Sequence, residues 1–187
     1  MKRIQYNSPV VLTFFLISLT ALLLGWISQG RTTYALFSVY RSPLSIPAVF
    51  RLFLHVLGHA DFTHFAGNML LFLVVGPPME EKYGSSALLS AIALTALVSG
   101  LLQCLLFPHS ALLGASGVVF MLILLSSLAG MKQGYIPLTL ILVAALYLGQ
   151  EVISILSVKD NVANLTHIVG GLCGTFFGFQ MVSRRGK

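Results

Sequence analysis

The chain has 187 residues, 57% of them hydrophobic and 9% charged, with a mean hydropathy of +0.92. An ordinary soluble domain carries roughly 25% charged residues, and a chain this short leaves too much surface wet to hide so much apolar area in a soluble core. Disorder is excluded by the same numbers, and the long unbroken apolar runs exclude the alternating strands of a membrane barrel. The remaining class is all-α: a polytopic membrane helical bundle. The net charge of +6 comes from 11 Lys+Arg against 5 Asp+Glu. These basic residues gather at the chain ends and in loops, which reads as membrane orientation and not as nucleic-acid binding.

Six apolar segments follow in chain order, at about 9–28, 64–79, 85–107, 113–130, 134–157 and 165–183. They make one membrane domain over residues 1–187, with no separate soluble domain. Met-Lys-Arg before the first run resembles a secretory signal. The run is long, however, and no small-x-small cleavage site follows before Arg31, so it reads as a helix. The second, fourth and sixth segments are shorter and richer in Gly and polar residues, the mark of helices buried among others. The connection at about 29–63 is long and rich in aromatics, and part of it is expected to pack at the membrane interface. Cys104 and Cys173 lie inside apolar runs and read as small buried side chains, not as a disulfide.

Orientation follows from Lys and Arg. Lys2, Arg3, Lys82, Lys132, Arg184, Arg185 and Lys187 fall in one set of loops and termini. Arg31, Arg41, Arg51 and Lys159 fall in the other. The larger set is cytoplasmic, so both termini are expected inside, and the second, fourth and sixth helices all begin on the outer side. Those three beginnings hold the polar residues. The second opens with His64 and Asn68, the fourth with Gly114-Ala115-Ser116-Gly117, and the sixth with His167.

A serine hydroxyl is a weak nucleophile until a base takes its proton. His167 can be that base if the fourth and sixth helices touch. Gly170, Gly174 and Gly178 recur every four residues and form a smooth face for such contact. Gly114 and Gly117 leave room for a substrate backbone, and backbone N–H groups at a helix start suit an oxyanion. His64 and Asn68, four apart, share a helix face and can donate further hydrogen bonds to it. Phe120, one turn beyond Ser116, can stack on the His167 ring. Each piece alone has an ordinary structural reading, because small residues are common at membrane helix contacts; the combination is more specific.

In these motifs the chain resembles rhomboid intramembrane serine proteases of the basic six-helix bacterial type. The resemblance runs from about Phe50 to Phe179 and rests on five blocks. They are Phe50-Arg51, His59 with His64-x3-Asn68, Gly76-x3-Glu80-x3-Gly84, the Gly-Ala-Ser-Gly around Ser116, and His167-x2-Gly-Gly-x2-Gly-x3-Gly. It implies a Ser116–His167 catalytic dyad with no acidic third member. His64, Asn68 and the Ser116 N–H would form the oxyanion hole. Substrates would be transmembrane segments that unwind near small or helix-breaking residues. The long loop would lie partly in the outer leaflet with Arg51 anchoring it, and the fifth helix, beside the second, would border the lateral access route. Two positions depart from the family: Phe50 stands where Trp is frequent, and Phe120 where Tyr is frequent. Neither removes a catalytic atom.

No metal or organic cofactor is implied. His55 and His59 are four apart, but they lack a His-Glu-x-x-His motif and read, by the resemblance, as structural members of the loop. Asp61 and Asp160 fall in predicted loops, which excludes an aspartyl intramembrane protease. Glu80, Glu81 and Lys82 read as a solvated turn, or, by the resemblance, Glu80 caps neighbouring helix ends. Gln150 and Glu151 fall within the membrane on the fifth helix, near the expected depth of the dyad, and Glu151 reads either as facing the cavity or gate or as snorkelling or pairing with Lys159 at the interface. The expected partners are membrane-protein substrates and the lipid bilayer of a bacterial inner membrane. The alternative is a non-catalytic relative that binds or escorts membrane clients. Such relatives generally lose the serine or histidine, and both are present here.

Overall fold

The computed structural model describes residues 5–129, 135–143, 145–146, 168–177 and 180. Helix α1 (Pro9–Ile27) is followed by α2 (Arg31–Leu36), α3 (Ile46–Leu54) with a 3-10 turn at His55–Leu57, α4 (Phe62–Tyr83), α5 (Ser85–Leu106) and α6 (Ser116–Leu128). Residues 138–143 are helical, and Ile168–Phe177 forms α7. Among the described residues, α1, α4 and α5 are long and apolar enough to cross a membrane. The chain is an integral membrane helical bundle.

Helix α4 lies between α1 and α6 and also touches α5. Its seam with α1 is set by Phe14 on Phe72, ring centroids 4.5 Å apart, and by Val11 seated over Gly76. Shape governs these contacts, because lipid tails are as apolar as the side chains and give little drive to association. The first turn of α1 has no side-chain cap of its own. Its N–H groups are taken by α4: Glu80 Oε1 accepts from Val10 N at 2.9 Å and Oε2 from Val11 N at 3.0 Å. Ser85 Oγ donates to Oε1 at 2.7 Å. A carboxylate is the favoured group at a helix N-terminus, where the orphan donors and the positive dipole end coincide.

Three boundaries differ from the sequence reading. The second segment is a 22-residue helix, not a short one. Pro77 and Pro78 lie inside it, and it continues to Tyr83 because Glu80 is held by three donors and Gly84 N bonds back to the Glu80 carbonyl. Glu80 is therefore 4% exposed and caps α1; it is not part of a solvated turn. The fourth segment starts at Ser116, not near 113, since Gly114 sits at φ +124° and leaves the helical region. The long connection contains two helices. Ser45 caps α3 by accepting from Ala48 N at 3.3 Å, with proline in the first turn, a start signal legible in Ser-Ile-Pro.

Helix α3 is amphipathic. It exposes Ile46, Val49, Phe50 and Phe53 while burying Arg51. Arg51 donates to Tyr40 Oη at 2.8 Å and to Ser42 Oγ at 2.6 Å, and its guanidinium lies 4.2 Å from the Tyr40 ring centre. It ties α3 to the strand-like stretch before it, so the anchoring role holds. The fifth segment is described only at 135–143 and 145–146, where Leu140 and Val143 join Phe120, Leu124 and Leu128 of α6 in one apolar cluster. The sixth is described as α7.

Candidate active site

The segment before α6 is pinned from three sides. Val39 and Leu112 exchange two backbone hydrogen bonds of 2.9 Å, an isolated antiparallel bridge. Gln103 Nε2 donates to the Ser110 carbonyl at 3.1 Å and to Ser110 Oγ at 2.9 Å. Gly114 N donates to the His55 carbonyl at 2.9 Å. None of these was visible in the sequence; Gln103, a buried amide on an apolar helix, was the available signal. Together they fix the entrance to α6, and Ser116 is its first residue, half-buried. Its N-cap residue, Ala115, has no side chain that could cap it.

His64 and Asn68 come from the opposite wall, on the first two turns of α4. Asp61 caps that helix: its Oδ1 accepts from His64 N at 2.8 Å. The aspartate expected in a loop thereby sets the backbone position of His64. The His64 ring and the Asn68 amide both face Gly114. A Cβ built on Gly114 would come within 2.8 Å of His64 Nε2 and within 3.9 Å of Asn68 Nδ2. Glycine is required there twice over, by the positive φ and by this approach. Asn68 is 9% exposed, and its Nδ2 finds no hydrogen-bond partner among the described residues. A buried amide donor without a partner costs about 1–3 kcal/mol.

Helix α7 closes the third side. A Cβ on Gly170 would run into the Gly117 carbonyl, and one on Gly174 into the Met121 carbonyl. The pairs 170 with 117 and 174 with 121 advance together, so α7 runs parallel to α6 and begins at the same end. The sequence reading expected this shared end for the second, fourth and sixth helices. Phe120 is 2% exposed and packs over Gly171. His167, Gly178, Gln150 and Glu151 lie outside the described residues, as do Lys159 and Asp160.

His55 and His59 support the site from behind. His55 Nε2 pairs with the Ala96 carbonyl at 3.1 Å, and His59 Nδ1 with the Leu57 carbonyl at 3.2 Å. The His59 ring meets the His64 ring edge-on, centroids 5.1 Å apart. Burial lowers the His55 imidazole to about 4, against the opposing effect of its Ala96 bond. Burial, and then the neighbouring His64, lower His59 to about 4 as well. Both rings are therefore neutral hydrogen-bonding groups near pH 7. A cavity of about 410 Å³ opens beside His59, between Trp26, Tyr34 and Leu113.

Comparisons with known proteins show the family. The family model for the Rhomboid domain matches residues 47–184. The chain is 28% identical over 181 residues to "Rhomboid protease GlpG" of Pectobacterium atrosepticum, covering 94% of this chain and 63% of that one. It is 33% identical over 135 residues to "Rhomboid-related protein 1" of Caenorhabditis elegans, covering 66% and 37%. It is 28% identical over 135 residues to "Rhomboid-like protein 11, chloroplastic" of Arabidopsis thaliana, covering 72% and 45%. The chain thus spans between 37% and 63% of the length of these three relatives.

Proposed function

Because the chain belongs to the rhomboid family, we propose that it is an intramembrane serine endopeptidase that cleaves transmembrane segments of membrane proteins through Ser116 and His167. The observation that carries this reading is the partnerless Nδ2 of Asn68, buried beside His64 and facing Gly114, two residues before Ser116. An amide donor aimed at that place is what a developing oxyanion needs.

His167 takes the proton as Ser116 Oγ attacks the scissile carbonyl carbon, and the carbonyl oxygen becomes the tetrahedral oxyanion. His64, Asn68 and the Ser116 N–H donate to that oxygen. The proton passes from His167 to the leaving amine, and the peptide bond breaks. Water, deprotonated by His167, then hydrolyses the acyl-enzyme and restores the serine. His167 precedes Gly170 by three residues in the sequence. Gly170 abuts Gly117, the neighbour of Ser116, and this supports the pairing of base and nucleophile.

The short six-helix form suits a bacterial inner membrane, and the charge asymmetry of the loops supports both termini in the cytoplasm with the Ser116 end outward. Glu151 is assigned to the access route between the fifth helix and α4. The test is reconstitution with a membrane-anchored reporter whose transmembrane segment carries small residues. Cleavage by the wild type, and none by Ser116→Ala or His167→Ala of equal stability, supports the reading. A folded wild type that binds the reporter and leaves it intact contradicts it and favours a client-binding relative.

A further inference from the structure

The tilt of the His64 ring is not fixed by its own backbone. Asp61 holds the His64 N–H at 2.8 Å, which leaves the side-chain torsions open, and the second torsion of a histidine has no sharp staggered wells. Neighbours must set it. Gly114 is one, facing Nε2, and it offers no side chain to hold a ring. Another is His59, whose ring meets that of His64 at 5.1 Å between centroids and 72° between planes.

His59 is itself held on several sides, and it is 2% exposed. Its Nδ1 lies 3.2 Å from the Leu57 carbonyl. A carbonyl only accepts, so Nδ1 carries the proton, and this bond fixes the ring plane. The Phe65 ring packs edge-on against it at 5.4 Å and 87°, and Phe65 in turn meets Phe15 at 5.7 Å. Edge-on packing of this kind prefers a definite separation and tilt. The backbone is as firm. A Cβ on Gly58 would run into the Phe37 carbonyl, and Gly58 N donates to the His55 carbonyl at 3.2 Å.

We propose that His59 is a positioning residue for His64, its ring bracing the His64 ring at the tilt that points its donor at the oxyanion beside Ser116. The role rests on the peptidase reading above and adds to it a residue that touches no reacting atom. An oxyanion donor works at about 2.7–3.1 Å, and a misplacement on the order of 1 Å costs up to ~10²-fold in rate. The effect of His59 on the reaction runs through His64. It falls on kcat, because the oxyanion forms after the substrate is bound.

The experiment pairs reporter kinetics with NMR of protein labelled at histidine Cε1, on variants matched for folded fraction by melting. His59→Asn keeps a donor for the Leu57 carbonyl and removes the ring, while His59→Phe keeps a ring and removes the donor. His59→Asn should lower kcat about tenfold with KM unchanged, and His59→Phe should recover most of that loss. In a His64→Ala background His59→Asn should cost nothing further, while in an Asn68→Ala background its full effect should remain. The His64 signal, identified by its loss in His64→Ala, should shift and broaden in His59→Asn and stay sharp in His59→Phe. The signal of the exposed His109 should not move. If His59→Asn unfolds in detergent, His59→Gln takes its place with the same expected pattern. A loss that persists without His64, a rise in KM alone, or a His64 signal unchanged by removal of the His59 ring would each overturn the proposal. A folded wild type that does not cleave sinks the peptidase reading by itself; the His64 signal needs no substrate and still decides the bracing.

Discussion

Gly170 lies against the backbone of Gly117, with no room for a single carbon between them. With the contact of Gly174 on Met121, it sets how near α7 comes to the residue after Ser116. Gly170→Val must push α7 outward or distort α6. Overpacking of this kind costs about 1–3 kcal/mol. We expect a lower melting temperature in detergent and a loss of reporter cleavage larger than the loss of folded protein. Gly67→Ala, in open space on α4, should change neither.

Asn68 separates catalytic from structural roles. Its Nδ2 makes no hydrogen bond among the described residues, so Asn68→Ala breaks none at that atom. Loss of one oxyanion donor costs about 10²–10³-fold in kcat. Cleavage should fall by that much at unchanged thermal stability, with KM little altered. A marked drop in stability with kcat intact would assign Asn68 to packing.

Glu80 should behave in the opposite way. It accepts three hydrogen bonds that join α4, α1 and the start of α5. Glu80→Ala leaves the Val10 and Val11 donors of α1 without their acceptor. Hydrogen bonds to charged groups are worth about 1.5–3 kcal/mol each, so the melting temperature should fall clearly. The residual folded enzyme should keep its kcat, because Glu80 lies at the far end from Ser116. Equal stability of Glu80→Ala and wild type would refute the capping role.

The buried histidines give a pH dependence with a defined sign. His55 and His59 titrate at about 4 in the folded chain, below the ordinary 6.5. Between these values the unfolded chain binds protons that the folded one does not. Stability is then fully present above about 6.5 and declines as pH falls toward 4. Unfolding followed at pH 7.5, 5.5 and 4.5 should show this decline. His55→Asn should flatten it while lowering stability at neutral pH, since the bond to the Ala96 carbonyl is weakened. A slope unchanged in His55→Asn would mean that other groups carry the acid sensitivity.

The polar residues at helix beginnings were legible because a membrane makes every such residue conspicuous. Charge counting put Ser116, His64 and Asn68 at one end, and the contact between Gly114 and His64 brings them together. The Gly170–Gly174 face was legible as a close-packing surface for the same reason. What escaped the sequence was long-range backbone pairing. Nothing in Val39 or Leu112 announces that they will bond to each other, yet that bridge helps hold the loop before Ser116. The end of α4 was placed at about 79 because the apolar run stops before Glu80, Glu81 and Lys82, which read as a solvated turn. Here Glu80, three donors on its carboxylate, carries the helix on to Tyr83.

Labelling of the purified protein by a fluorophosphonate serine probe reports whether Ser116 is an activated nucleophile. Covalent labelling of the wild type is expected, with none in Ser116→Ala or in His167→Ala at matched stability. Well-folded wild-type protein that stays unlabelled, and also fails to cleave a small membrane reporter, would contradict the serine peptidase reading.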